Sequence, residues 1–287
     1  MWGEFDVSDT ACATPTAPLA HSVSNHCSNG QTCVVSLPSY LNLYWSASGG
    51  WDAEVAASGY NITRAGIDTY TRALIGSAYF SGLKQYGVGA PAFAGSIEAD
   101  ADCLKQFPVP GVANFSQISS FVVCQVKALK LPSTENLIVN LFLPPSVTPE
   151  WVDTTLLGQK IQFGGCNDYG GYHAFVIFPQ NGKNGSVNTA VPFTVIPANP
   201  ACRNSNLNGL TGVLSHEMVE SATDPTFFGW KDSLPNDEVA TGNPLLEIGD
   251  ICGTDVLFPT PDKIFSTGRV KAYWSNSKPG CVFGSLR

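Results

Sequence analysis

The residues best placed to do chemistry stand in one short run, Ser215-His216-Glu217-Met218-Val219-Glu220-Ser221-Ala222-Thr223-Asp224-Pro225. On a helix His216 and Glu220 are four residues apart, so their side chains lie one turn above the other. At roughly 100° per residue Asp224 drifts only about 80° from His216. Val213, His216, Glu220 and Asp224 then share a face, with Glu217 at its edge. The spacing is that of H-E-x-x-H, in which two histidines hold zinc and the glutamate activates a water. Here Glu220 stands in place of the second histidine. A carboxylate is an acceptable zinc ligand. Its charge makes a bound water less acidic and moves the preference toward harder ions such as Ca²⁺ or Mn²⁺.

Such a site needs a third ligand from elsewhere. The nearest acidic cluster is Glu247-Ile248-Gly249-Asp250. Asp250 is the first choice and Glu247 the second, with His173 and Asp224 behind them. A downstream carboxylate at this distance resembles the way gluzincin-type proteases complete their sites. Each of these residues also has a plainer explanation. His and Glu at i, i+4 can be a surface pair. Glu247 and Asp250 can belong to a solvated turn, and His173, between Tyr172 and Ala174, can be a satisfied core or rim histidine. The apolar residues on the other face of the 215–225 run, and the β-branched run before it at 193–196, favour a site.

The elements that must position these residues are legible in outline. Residues 65–86 read as a helix, with Ile67, Tyr70, Leu74, Ala78 and Leu83 roughly on one face and Gly87 as the stop. A Gly/Pro/Ala loop follows through Pro91 and Gly95. Asn114 or Ser116 caps a second helix over 117–129, before Pro132. Residues 137–143, 171–178 and 193–196 read as buried strands. Asn208-Gly209 opens a helix over 210–223, and short strand-like runs follow at 255–258 and 270–274. Interleaved strands and helices predict an α/β (α+β) fold, a mixed sheet with helices packed on it. Residues 1–38 read as an irregular arm and 39–287 as one domain.

Composition narrows the classes. The chain of 287 residues is 44% hydrophobic and only 13% charged, with net charge −8. That excludes a nucleic-acid partner, since nothing here could neutralise a run of phosphates. No run of about 18 apolar residues predicts a membrane span. Nine dispersed cysteines with no C-x-x-C pair point away from a zinc ribbon and toward disulfides in an oxidising compartment. Cys27 and Cys33 could clip a short loop, and the odd count leaves one cysteine over, with Cys12 the first choice. Asn61, Asn114 and Asn184 begin glycosylation sequons. No basic-then-apolar leader is visible at the start. Gly-x-Ser-x-Gly elbows and phosphate loops are not found.

The 215–225 run, followed by Glu247-Ile248-Gly249-Asp250-Ile251-Cys252, Tyr273-Trp274-Ser275-Asn276 and Cys281, resembles microbial relatives of the Exordium (phosphate-induced protein) family. Cys166 with Gly171-Tyr172-His173, then Val195-Ile196-Pro197, Cys202 and Tyr79–Tyr86 with Gly87, extend the likeness over residues 65–285. The resemblance implies a secreted or cell-wall-associated protein with a zincin-like fold. It also implies an H-E-x-x-E metalloprotease site and the pairs Cys166–Cys202 and Cys252–Cys281. The chain departs from the family's pattern at Cys166-Asn167-Asp168-Tyr169 and in the insert 231–244.

Two functions follow as expectations. In the first the chain is a secreted zinc metallopeptidase acting on a peptide or protein. His216, Glu220 and Asp250 or Glu247 hold the metal, Glu217 is the general base and His173 steadies the oxyanion. In the second the same residues hold a structural zinc or calcium ion, and the protein binds wall polymer or another protein.

Overall fold

Residues 137–143, Leu-Ile-Val-Asn-Leu-Phe-Leu, form the central strand of the sheet, and all seven are buried. An apolar run with no alternation is what a strand covered on both faces requires. The computed structural model describes residues 20–21, 34–47, 49–131, 133–150, 152–156, 159–163, 166, 170–182, 185–202, 204–227, 229–231, 247–252, 263–265, 267–277 and 280–284. Its main sheet has five strands: β1 (Ser39–Tyr44), β2 (Ala92–Glu98), β3 (Leu137–Leu143), β4 (Tyr172–Gly182) and β5 (Gly185–Pro197), in the spatial order β2-β1-β3-β5-β4. Neighbours pair in parallel except β4, which runs antiparallel to β5 and ends the sheet.

The helices are α1 (Trp51–Ala57), α2 (Arg64–Gly76), α3 (Ala101–Gln106), α4 (Phe115–Ala128) and α5 (Leu207–Thr223). Tyr40, Tyr44, Ile138, Phe142 and Ile196 pack with α2 and α5 on one side of the sheet. Leu41, Leu43, Val139, Leu141, Phe193 and Val195 pack with α4 on the other, as alternation along each strand demands. The fold is therefore a mixed α/β sheet with helices on both faces. Among the described residues three disulfides staple it: Cys103–Cys124, Cys166–Cys202 and Cys252–Cys281. No helix among the described residues is long and apolar enough to cross a membrane.

Several local expectations need correction. The helix read over 65–86 breaks after Gly76. Ser77 takes an extended conformation, its hydroxyl donates to Leu74 O at 2.6 Å and accepts from Tyr79 N at 3.1 Å, and a 3-10 segment (Tyr79–Tyr86) follows. A serine that bonds local backbone offers an alternative to the helical ladder. The loop expected through Pro91 and Gly95 is strand β2 from Ala92 onward. A register shift against β1 at Tyr40/Leu41 and Gly95 at φ +115° accommodate the irregular residues there. Helix α4 starts two residues earlier than read, capped by Asn114 in a capping box with Gln117. Helix α5 starts at Leu207, with the Asn206 side chain accepting from Gly209 N. The run expected at 270–274 is divided between strands Gly268–Val270 and Tyr273–Ser275.

Of the arm read over 1–38, residues 20–21 pair with 230–231 and 34–38 lead into β1. Cys12, Cys27, Cys33, Asn184, the run 255–258 and most of the insert 231–244 lie outside the described residues. Asn61 is exposed, while the Asn114 side chain is engaged as the cap of α4.

A polar row crosses the sheet on the α5 side. Asn42, Asn140, Thr194 and His173 are register partners on β1, β3, β5 and β4. Asn140 Nδ2 donates to Asn42 Oδ1 at 3.0 Å, and Thr194 Oγ1 donates to Asn140 Oδ1 at 3.2 Å. Asn42 Nδ2 reaches Asp68 and Thr71 on α2. Buried polar groups persist in a core only when they are bonded. We expect Asn140→Leu to lower stability by roughly 1–3 kcal/mol for each partner it orphans. Urea unfolding with an unchanged midpoint would refute this account of the row.

Candidate metal centre

Three pieces of chain converge beside the last turns of α5. The helix is held by its neighbours' hydroxyls: Tyr40 donates to Met218 O at 2.6 Å and Tyr79 to Ser215 O at 3.4 Å, while Ser215 Oγ accepts from Lys271 N at 2.9 Å. Strand β4 brings His173 alongside. Its approach depends on Gly170 and Gly171, where a Cβ would lie 2.5 Å and 2.7 Å from the Val213 side chain of α5. The third piece is the turn 247–252, closed by Ile251 N→Glu247 O and Cys252 N→Gly249 O, each at 3.1 Å. Trp274 N donates to Ile248 O at 2.7 Å, and the Cys252–Cys281 disulfide ties the turn to the hairpin formed by Tyr273–Ser275 and Gly280–Val282.

The pieces place the six expected residues in one cluster. His216 Nε2 is 3.2 Å from Glu220 Oε1 and 3.5 Å from Asp250 Oδ1. His173 Nδ1 is 3.7 Å from Glu217 Oε2 and 3.8 Å from Glu220 Oε2, and its Nε2 is 3.6 Å from Glu247 Oε2. Asp250 thus stands on the His216 side and Glu247 on the His173 side. The His216 side is the open one, with His216 and Asp250 at 19% and 24% side-chain exposure. His173, Glu217, Glu220 and Glu247 are buried. Asp224 caps the helix at its C-terminus. Its carbonyl lies 3.1 Å from His173 Nε2 and its carboxylate accepts from Gly229 N.

Burial and crowding set the electrostatics. Desolvation raises the Glu220 carboxyl far above its ordinary range, and the carboxylates of Asp250, Glu247, Glu217 and Asp224 push it the same way. Burial alone would lower the His173 imidazole, but the charges of Glu247, Glu217 and Asp224 outweigh it and push the group up to about 9. His216 is likewise opposed by desolvation, yet Asp250 and Glu217 raise it above the usual histidine value.

Buried imidazoles and carboxylates in this mixture are suited to a divalent cation. Ligand atoms from His216, Glu217 and Glu220 lie within 4.8 Å of one another, and so do those of His173, Glu220 and Glu247. Glu217 Oε2 and Glu220 Oε1 are buried yet accept no hydrogen bond of proper geometry. Buried carboxylate oxygens in that state are costly unless a cation compensates them. The donors fit zinc, which takes His nitrogen and carboxylate oxygen, and do not by themselves choose it over a harder ion.

Two contributors escape a search for ligand-bearing side chains. Gly249 passes against the ligands, and a Cβ there would be 2.6 Å from Glu220 Oε1 and 2.8 Å from His216 Nδ1. Phe227 holds a left-handed φ of 64° and sets its ring 5.1 Å from that of His173. The only signal for the first was its residue type, since glycine is the default where the backbone must approach a ligand closely. Nothing in the sequence pointed to the second. We expect Gly249→Ala to weaken divalent-cation affinity by about 10–100-fold, the range seen when ligand orientation is disturbed. Calorimetric titration of the stripped protein measures it, and wild-type affinity in the variant would show that the close approach does not matter.

Comparison with known proteins adds no second line of argument: no family model, no curated protein and no solved structure matches the chain.

Proposed function

We propose that the protein is a metal-dependent hydrolase, a secreted peptidase whose zinc ion is held by His216, Glu220 and Asp250. One observation carries this reading. Glu217, adjacent in sequence to one ligand, presents a buried carboxylate oxygen with no hydrogen bond beside a ligand set whose outer side reaches solvent. A bound zinc ion supplies Lewis acidity, polarising a carbonyl and making water acidic. Glu217 Oε2 receives the proton from the attacking water and returns it to the leaving amine. An oxygen that accepts no hydrogen bond of proper geometry is available for that transfer. His173, with both ring nitrogens facing oxygen atoms, fixes the neighbouring carboxylates.

The substrate class follows from β4. It ends the sheet, and among the described residues no further strand pairs with it. An extended peptide can add to such an edge through main-chain hydrogen bonds. It would then lie along the strand that carries His173. The Exordium resemblance of the sequence implies the same assignment, and the disulfides among the described residues suit an oxidising, extracellular setting.

The competing reading, a closed structural ion in a wall-binding protein, would require the downstream carboxylates to complete one ligand shell. Their division between the two sides of the cluster favours the catalytic reading. We expect Glu217→Gln to lose about 10²–10⁴-fold in peptide turnover while retaining its metal, as removal of a general base does. His216→Ala is expected to lose the metal. Metal content by mass spectrometry and a peptide-library cleavage assay test both, and undiminished turnover in Glu217→Gln would overturn the assignment.

A further inference from the structure

The hydrolase reading uses one side of the cluster and leaves the other unexplained. Glu220 divides its carboxylate between two imidazoles. Oε1 lies 3.2 Å from His216 Nε2, and Oε2 lies 3.8 Å from His173 Nδ1. Glu220 also takes part in two sets of mutually close ligand atoms, one with His216 and Glu217 and the other with His173 and Glu247. The His173 set is wholly buried. Glu217, whose ligand atom belongs with those of His216 and Glu220, has its buried Oε2 3.7 Å from His173 Nδ1.

Charge makes the same point. Glu217, Glu220, Asp224, Glu247 and Asp250 would bring five negative charges together if all were ionised, four of them on buried side chains. One divalent cation offsets two of those charges, in a region where burying a carboxylate is costly. A second divalent cation brings the cluster close to neutrality with both imidazoles neutral. His173 Nδ1 faces Glu217 and Glu220, and its Nε2 faces Glu247 and the Asp224 carbonyl, so the ring is enclosed by oxygen atoms on both sides.

We infer that the protein holds two divalent cations, bridged by the Glu220 carboxylate. One is bound by His216 and Asp250 and the other by His173 and Glu247. This rests on the metal-centre reading above and deepens it. The outer position faces solvent and substrate, and the inner one is enclosed. Two-metal sites with ions about 3.5–4 Å apart are an established design for clamping both oxygens of a hydrolytic displacement.

The test counts ions. The full chain is stripped with a chelator, reloaded with excess Zn²⁺ or Mn²⁺, freed of unbound metal, and measured by inductively coupled plasma mass spectrometry. The Mn²⁺ form is also examined by electron paramagnetic resonance. Wild type is expected to hold two ions per chain and to show an exchange-coupled manganese signal. Glu247→Gln, close in shape to the native residue, is expected to fall from two ions to one and to lose the coupling, with circular dichroism unchanged. His173→Ala should behave alike. If His173→Ala fails to fold, the wild-type spectrum and Glu247→Gln still decide. A single ion in saturated wild type overturns the inner position and leaves the hydrolase centre standing. No ion at all overturns both. Two ions persisting in Glu247→Gln place the second elsewhere and overturn the assignment.

Discussion

Carboxylates repel one another inside a protein far more than in water, and this chain gathers several around Glu220. Everything else near them reads as the means of holding that arrangement. The acidic groups come from two anchored pieces. Glu217 and Glu220 come from a helix fastened by tyrosine and serine hydroxyls, and Glu247 and Asp250 from a disulfide-tethered turn. His173 comes from the edge strand, at the end of a buried amide and hydroxyl row. A looser scaffold would let the charges separate into solvent. A cation reverses the sign of the problem, because the same oxygens that repel become a ligand set.

The central strand was legible because burial on both faces leaves a mostly apolar run, Leu137–Leu143, interrupted by Asn140 alone, whereas its neighbour Ser39–Tyr44 was not legible as a strand. The helix with His216 and Glu220 was legible because i, i+4 spacing needs only local geometry. Its start was misplaced by two asparagines close together. Asn206, rather than Asn208, has its side chain within reach of an N–H three residues on. The break at Ser77 and the strand at Ala92 were not legible, since each is decided by a tertiary or competing local bond. The partition of Glu247 and Asp250 between two histidines was likewise beyond sequence spacing. It depends on how the turn leans on Trp274.

His173 illustrates the limit. By residue type it read first as a satisfied core or rim histidine and only second as a site residue. It stands in both, because it occupies the sheet's polar row and also faces three glutamates. The pair Cys103–Cys124 was equally invisible to spacing, since it joins α3 and α4 across a gap that only packing defines.

The disulfide between Cys252 and Cys281 has a temporal consequence. Asp250 lies two residues before Cys252, and the turn that presents it is otherwise secured by a handful of main-chain bonds and the burial of Ile248. Closing the sulfur bridge restricts the wandering of that segment before folding is complete. Ligand geometry is therefore coupled to thiol oxidation. A newly made chain in a reducing environment lacks the covalent tie that steadies this ligand, and it gains the tie on reaching an oxidising one. Oxidation would thus act as a maturation step for the turn that presents Asp250.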